Sequence, residues 1–402
     1  MRVTADSVVE TIASFDIAFA SRTVTGTGCS HRASDQLRRV GAQRVGVVAN
    51  RSLREGSQAF QHWLETLGSD VPVFCNVQAH TPRKSVLEAI RFFRERRCDS
   101  LVSFGSGSAI DTAKGVALGI AAGIESAGDF EKYVNRVTPD GGITELTLDH
   151  QILPHIAIPT TLSGAAHSHS VGISDPHRGE KHLHIHPGLG PQCVFLDPLV
   201  TLDTPRSLWA GTGMKALEHA VEGLYSRVLP PFAEPMRMHA FQVLTRDLVL
   251  SLETDSAECL VRRTRVLAAG GLAVLGWPSV AVGLSHALGH QAGAAWHIEH
   301  GASTAIFLPR ALEFNAPAAG HALEQMARSL GRSKTNSLEC VLEKLREMTS
   351  ALGLPHRLRD AGVATPEGFE RVAEAAFHDP IMAGNPRAVT RHDLEEILRR
   401  AY

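Results

Sequence analysis

The run Ser100-Leu101-Val102-Ser103-Phe104-Gly105-Ser106-Gly107-Ser108-Ala109-Ile110-Asp111-Thr112-Ala113-Lys114 passes from an apolar stretch through alternating glycine and serine into a helix-favouring segment. Glycines at a strand-to-helix turn let backbone N–H groups approach a pyrophosphate, and the helix N-terminus adds about half a positive charge. Ser108 is placed to cap this helix, with Asp111 three residues on as the partner in a capping box. Gly105, Ser106, Gly107, Ser108 and Asp111 are the candidate cradle. Alone the turn is a weak signal, but Ile158-Pro159-Thr160-Thr161-Leu162-Ser163-Gly164 ends a second strand pattern, HIAIPTT (155–161). The hydroxyls of Thr160, Thr161 and Ser163 then lie at the same carboxyl edge of the sheet, where open α/β folds bind ligands. Two polar loops on one edge imply a dinucleotide crevice.

Outward from this run, RVGVVAN (44–50) reads as a strand, and SVLEAIRFFRERR (85–97) has apolar residues at helical spacing. Strands alternating with helices give βαβ units and a parallel sheet. After about Leu199 the β signal ends, and PRSLWAGTGMKALEHAVEGLYSRV, MRMHAFQVLTRDLVLSL, SLECVLEKLREMTSALG and HDLEEILRRAY carry helical periods. The expectation is an α/β domain over 1–198 followed by an all-α domain over 199–402. Thr138 to His150 reads as a surface insertion, and the histidine-rich stretch from His167 to His186 as a solvated loop.

The chain has 402 residues, with 40 Lys+Arg against 42 Asp+Glu, 44 % hydrophobic and 20 % charged, enough to bury a large core in two domains. A formal net charge of −2 lacks the basic excess that phosphate neutralisation needs, which excludes nucleic acid as the expected partner. Cys29, Cys75, Cys98, Cys193, Cys259 and Cys340 have no CxxC spacing and are expected to be free thiols in a reducing compartment. The opening MRVTADSVVETIASFD carries acids where a signal peptide needs a basic start, so a cytoplasmic protein is expected. Val266 to Leu284 is uncharged but contains four glycines and Pro278; it reads as buried helix rather than a membrane span. The 21 histidines ask whether a metal is bound.

Taken in order, FGSGSAIDTAK, AIPTTLSG, GTGMKALEHAVEGLYS and GLSHALGHQAGAAWHIEHG resemble the iron-containing (group III) alcohol dehydrogenase family, with the pattern most like its maleylacetate reductases. The resemblance spans roughly residues 24–315. It implies a Rossmann-like NAD(P)-binding domain, an all-helical C-terminal domain of the dehydroquinate synthase-like architecture, and hydride transfer to or from a small alcohol or carbonyl in the cleft between them. It also implies a homodimer through N-terminal strands, for which Phe15 to Val24 is the candidate segment.

Residues 286 and 290 are one helical turn apart, as are 215 and 219, and His300 precedes Gly301 at a turn, so several of these side chains can converge on one ion. In the family the ligands would be an Asp at position 215 with His219, His286 and His300, while His290 would be the neighbouring non-ligand. This chain has Lys215 instead. An ammonium about 4 Å from a divalent ion adds repulsion on the order of several kcal/mol even at an effective dielectric near 20. A tight iron or zinc site is therefore disfavoured. The expectation is that the Lys215 ammonium polarises the substrate carbonyl, with His290 in proton delivery. Maleylacetate reductases, as the resemblance implies, also depart from Asp here and work without a metal.

The resemblance places a cofactor-selecting residue at Asn50, next to Arg51, and Lys181 near the cofactor; NAD(P)H is expected without a choice between the two forms. Ala166 stands where relatives carry Glu, and His167 and His169 flank it. With Lys215 and His290 they suggest a cationic pocket and an anionic substrate. The rival readings are a metal-dependent alcohol dehydrogenase, a non-redox dehydroquinate synthase-like enzyme, and an inactive nucleotide-binding homologue.

Overall fold

In the computed structural model, residues 22–136, 144–175, 180–253, 256–277, 280, 282–331 and 336–402 are described. Among them are eight strands: β1 (Arg22–Thr25), β2 (Val45–Ala49), β3 (Val73–Phe74), β4 (Ser100–Gly105), β5 (His155–Pro159), β6 (Ser170–Asp175), β7 (Glu180–Ile185) and β8 (Cys193–Leu196). Six form one parallel sheet in the order β1-β8-β5-β4-β2-β3, and β6 and β7 pair antiparallel. Every residue of β4 and β5 is buried, as a parallel sheet covered on both faces requires. From β2 the chain moves outward to β3, and from β4 it moves the other way to β5. The topological switch point therefore lies between the carboxyl ends of β2 and β4, beside Asn50 and Gly105.

After helices α1 (Ala33–Arg39), α2 (Arg51–Gly56) and α3 (Gln58–Glu65), helices α4 (Arg83–Glu95) and α5 (Gly107–Ala121) pack on this sheet, and α6 (Arg206–Leu224), α7 (Ala233–Asp247), α8 (Ala257–Ala273), α9 (Leu284–Trp296) and α10 (His300–Asn315) begin the helical part. No strand follows β8 among the described residues. One apolar core joins Ile110, Leu162 and Val194 of the sheet layer to Trp209, Leu217, Leu244 and Leu308 of the helices. The sheet edge and the helix ends consequently share a cleft. Two glycines set its helical wall: α6 and α10 touch backbone to backbone, so that a Cβ on Gly301 would lie 2.1 Å from the Gly211 Cα.

Three local expectations need correction. The helix after the glycine turn starts at Gly107, with Ser106 as its N-cap and no side-chain cap, rather than with Ser108 capping and Asp111 closing a box. Gly105, at φ +150°, turns the chain three residues earlier than Ser108. The histidine-rich stretch is not a loop but contains the β6–β7 hairpin; in HLHIH the residues alternate, and His184 is fully buried beside Phe130 with Nδ1 2.6 Å from the Tyr133 carbonyl oxygen. Val266 to Leu284 is not one helix: α8 ends at Ala273 and α9 begins at Leu284. No described helix is long and apolar enough to cross a membrane. Residues 15–21 of the candidate dimer strand, and 138–143 of the candidate insertion, lie outside the described residues; β1 itself is an edge strand of the sheet. The six cysteines are free thiols.

Candidate active site

The glycine turn and the hydroxyl loop meet as their sequences predict. Thr160 N donates to the Gly105 carbonyl at 2.9 Å, and a Cβ on Gly107 would come within 2.4 Å of Ser163 Oγ. Across the switch point, the Asn50 side-chain oxygen accepts from Ser106 N at 2.9 Å and would lie 2.2 Å from a Cβ at position 105. Asn50 thus braces the turn through that oxygen. Ala109 N and Ile110 N reach back to the Ser106 carbonyl, and no side chain caps the first turn of α5, which leaves its other N–H groups for a ligand. Thr161 Oγ1 is buried without a partner. Lys114 is fully buried and donates to the carbonyls of Ala165, Ser168 and Ser170 at 2.6, 2.7 and 2.9 Å, stitching the hydroxyl loop to α5. Burial pulls its pKa down to about 8, opposed by Asp111. Burial also raises Asp111, against the pull of Lys114 and Lys181. A dinucleotide fits this cradle.

On the helical side the four histidines converge. His219 of α6 stacks on His286 of α9 with ring centroids 4.6 Å apart, His286 and His290 are 6.3 Å apart, and His290 and His300 6.1 Å. Burial is the first cause holding His219 and His286 well below the ordinary range, and it brings His300 down to about 2. All three are neutral at pH 7. The His286 Nδ1 lies 2.8 Å from Glu222 Oε2, which makes it the N–H donor and leaves Nε2 as an acceptor. His286 Nε2 and His300 Nδ1 are buried without partners.

Lys215 lies in this cluster, and two carboxylates that sequence reasoning missed surround it. Lys215 Nζ is 2.5 Å from Glu218 Oε2, with the lysine side chain 19 % exposed and the glutamate fully buried. Glu218 also accepts from Ser285 Oγ, and from Thr304 Oγ1 at 3.0 Å. Glu222, one turn on, accepts from the backbone N–H groups of Gly283 and Ser285 at 3.0 and 2.8 Å. Desolvation raises its pKa despite those bonds. Glu218, Glu222 and His286 offer atoms close enough together to hold a metal ion, yet each carboxylate is already filled by donors from α6, α9 or α10. With the Lys215 ammonium against Glu218 and both acids engaged, the donor set does not fit a divalent cation, even though His286 and His300 keep free ring nitrogens.

Three further side chains complete the cleft. Asp379 Oδ2 lies 3.2 Å from His290 Nδ1 and accepts from Gln291 Nε2 at the same distance. His80, from the sheet side, meets His300 edge-on at 5.5 Å. Lys181, on β7, is exposed and acts electrostatically on Asp111, His80 and His300. The expected contribution of His167 to a cationic pocket fails: its ring abuts Gly271 of α8, and desolvation followed by Lys114 lowers its pKa to about 4. His169 is buried at the start of the hairpin. Among the described residues, the positive charge facing the cleft comes from Lys181 and Lys215.

This geometry can be set beside known proteins. The family profile described as iron-containing alcohol dehydrogenase matches residues 20–198, and its Fe-containing C-terminal counterpart matches residues 209–402. The chain belongs to the iron-containing alcohol dehydrogenase family. It is an oxidoreductase of that family, whose cofactor class is the nicotinamide dinucleotide. It is 31 % identical over 321 residues to a probable alcohol dehydrogenase, EutG, of Salmonella typhimurium, covering 79 % of this chain and 76 % of the relative. The 1,3-propanediol dehydrogenase of Klebsiella pneumoniae is 28 % identical, with 90 % and 92 % covered. An alcohol dehydrogenase structure from Oenococcus oeni superposes with TM-score 0.88 at 26 % identity, covering 97 % of this chain and all of that one. A maleylacetate reductase from Rhizobium sp. superposes at 0.76 with 25 % identity and 97 % of each chain covered. Maleylacetate reductases are therefore among the structural neighbours, with a lower TM-score than the Oenococcus oeni enzyme.

Proposed function

We propose that this protein is a metal-independent, NAD(P)H-dependent reductase of a small, anionic carbonyl compound, with Lys215 in the role its relatives give to a metal ion. The observation that carries this reading is the Lys215–Glu218 pair inside the histidine cluster, an ammonium anchored by a buried carboxylate and still partly open to the cleft. Residues 1–198 form the cofactor-binding domain and residues 199–402 the catalytic one. Gly105, Ser106, Gly107, Ser108, Thr160, Thr161 and Ser163 hold the dinucleotide, Asp111 and Lys181 flank it, and Asn50 positions the turn. Bound there, the cofactor supplies the hydride.

The remaining chemistry falls to the chain's own residues. Lys215 donates a hydrogen bond to the carbonyl oxygen and stabilises the negative charge that grows on it. His290, oriented by Asp379, delivers the proton that converts the alkoxide to the alcohol. His219 and His286 wall the site, and the free nitrogens of His286 and His300 offer polar contacts to the substrate. The free thiols support a reducing, cytoplasmic setting for an enzyme acting on a small molecule, and the β1 edge supports a homodimer.

The test joins metal analysis of the purified protein with turnover in chelator and the Lys215→Met variant. The reading expects no stoichiometric metal, chelator-resistant turnover, and a loss in kcat on the order of a hundredfold or more in the variant, the scale for removing one oxyanion donor. Stoichiometric iron or zinc whose removal abolishes activity establishes instead a metal-dependent dehydrogenase, the reading favoured by the two free ring nitrogens.

A further inference from the structure

His80 belongs to none of the motifs above. It lies between β3 and α4 with φ +61°, and Thr81 follows at φ +51°. Two successive non-glycine residues in the left-handed region are strained, the β-branched threonine most of all. The strain is held by a clip from β6: Ser174 Oγ donates to the His80 carbonyl at 2.6 Å and Ser174 N to the Thr81 carbonyl at 3.1 Å, while Thr81 is buried. His80 itself is exposed. Core packing of its ring therefore does not explain the strained backbone, whose effect is to bring the imidazole against His300 from the opposite wall of the cleft.

The surroundings indicate what it meets there. Lys181 stands opposite Ser174 in the hairpin register, so the same clip fixes the strand that carries this exposed ammonium. In either neutral tautomer, and when charged, the His80 ring carries an N–H donor. Of the nearby acids, Glu218 is buried under Lys215, Asp379 is engaged with His290 and Gln291, and Asp111 is close enough to Lys114 and Lys181 to feel their charge. A ligand in the cleft meets ammonium groups and N–H donors.

We infer that His80 is a specificity-determining residue that hydrogen-bonds, beside Lys181, the oxyanion of a carbonyl substrate whose reacting oxygen lies against Lys215. This rests on the reductase reading and adds to it the residue on the sheet side that selects the substrate. The experiment compares wild type and His80→Asn, a residue that tolerates the left-handed backbone, on two aldehydes of equal chain length: succinic semialdehyde and butanal. Wild type should favour the carboxylate-bearing aldehyde. The variant should raise KM for succinic semialdehyde about tenfold, the scale of one hydrogen bond to a charged group, and leave butanal kinetics and the urea midpoint unchanged. An unchanged preference, or an equal loss on both aldehydes, overturns the inference. A wild type without preference overturns it as well, together with the anionic substrate, but leaves the reductase activity standing, whereas a wild type that reduces neither aldehyde with either cofactor refutes the reductase reading itself.

Discussion

Replacing Gly301 by alanine tests whether the crossing of two helices positions the site. A methyl carbon at Gly301 would lie 2.1 Å from the Gly211 Cα and 2.6 Å from its carbonyl carbon and oxygen. Ordinary carbon contacts begin near about 3.5 Å, so α6 and α10 must part by about 1.4 Å. Both partners are backbone, and no side chain can rotate away. Overpacking of a core costs about 1–3 kcal/mol, and a clash without a yielding side chain belongs at the upper end. The displacement falls on the chemistry: His300 adjoins Gly301, and Thr304 one turn later holds Glu218 Oε2 at 3.0 Å. A misplacement of about 1 Å is enough to lower turnover about a hundredfold. Urea unfolding and kcat/KM for aldehyde reduction, measured on Gly301→Ala and wild type, should show both losses. Gly320→Ala, at the start of the helix Gly320–Ser329 with open space around the added carbon, should show neither. Wild-type stability, or lost stability with activity intact, would refute the claim that this contact sets the cleft.

Stability should fall steeply on acidification. His155, His167 and His184 have pKa values lowered to about 3, 4 and 4, chiefly by desolvation, whereas in the unfolded chain they titrate near their ordinary 6.5. Between those limits the unfolded chain binds protons that the native one refuses, so stability is full above pH 6.5 and declines as pH falls towards 4. The slope approaches about 1.4 kcal/mol per pH unit for each such histidine. Equal urea midpoints at pH 7 and pH 5 would show that these rings are not held neutral. Asp379→Asn addresses His290: burial pushes the Asp379 carboxyl up, but the hydrogen bond and charge of His290 hold it below the usual range. The variant should lower kcat about tenfold or more with KM little changed, the scale for residues that orient a functional histidine; a change confined to KM would remove the positioning role.

The parallel sheet and the helical half were legible because their signals are periodic and local. The glycine turn was legible as a cradle but misplaced at its cap, since GSGS offers two serines and the conformation of Gly105 chooses Ser106. The histidines of α6, α9 and α10 were legible because helical spacing aligns them. Glu218 and Glu222 stood inside a quoted motif and still escaped notice, because a glutamate on a helix ordinarily reads as a solvated face. Glu218 is buried among α6, α9 and α10 and Glu222 against the start of α9, a packing that no local pattern announces. Asp379 reaches His290 across 88 intervening positions, as residue numbers show, and no local pattern records such a contact. His80 had no motif at all; its signal is backbone strain, which exists only in the folded chain.

Lys215 and Glu218 make physical sense only together. Set against the aspartate that the family resemblance leads one to expect at position 215, a lysine changes the local charge by two units, and an unpaired ammonium beside three desolvated imidazoles would be strongly destabilising. A carboxylate three residues on falls on the same helix face and returns one of those units. On the proposed reading, the pair then offers the cleft an N–H donor rather than the field of a dication. That distinction bears on the direction of the reaction. Oxidising an unactivated alcohol requires loss of its hydroxyl proton, which a metal promotes by lowering the pKa of a bound oxygen, as zinc lowers that of water to about 7. A paired ammonium gives no comparable acidification, but it can polarise a carbonyl that is already electrophilic. On the proposed reading, a lysine at position 215 therefore suits a site that reduces aldehydes or oxo acids better than one that oxidises simple alcohols.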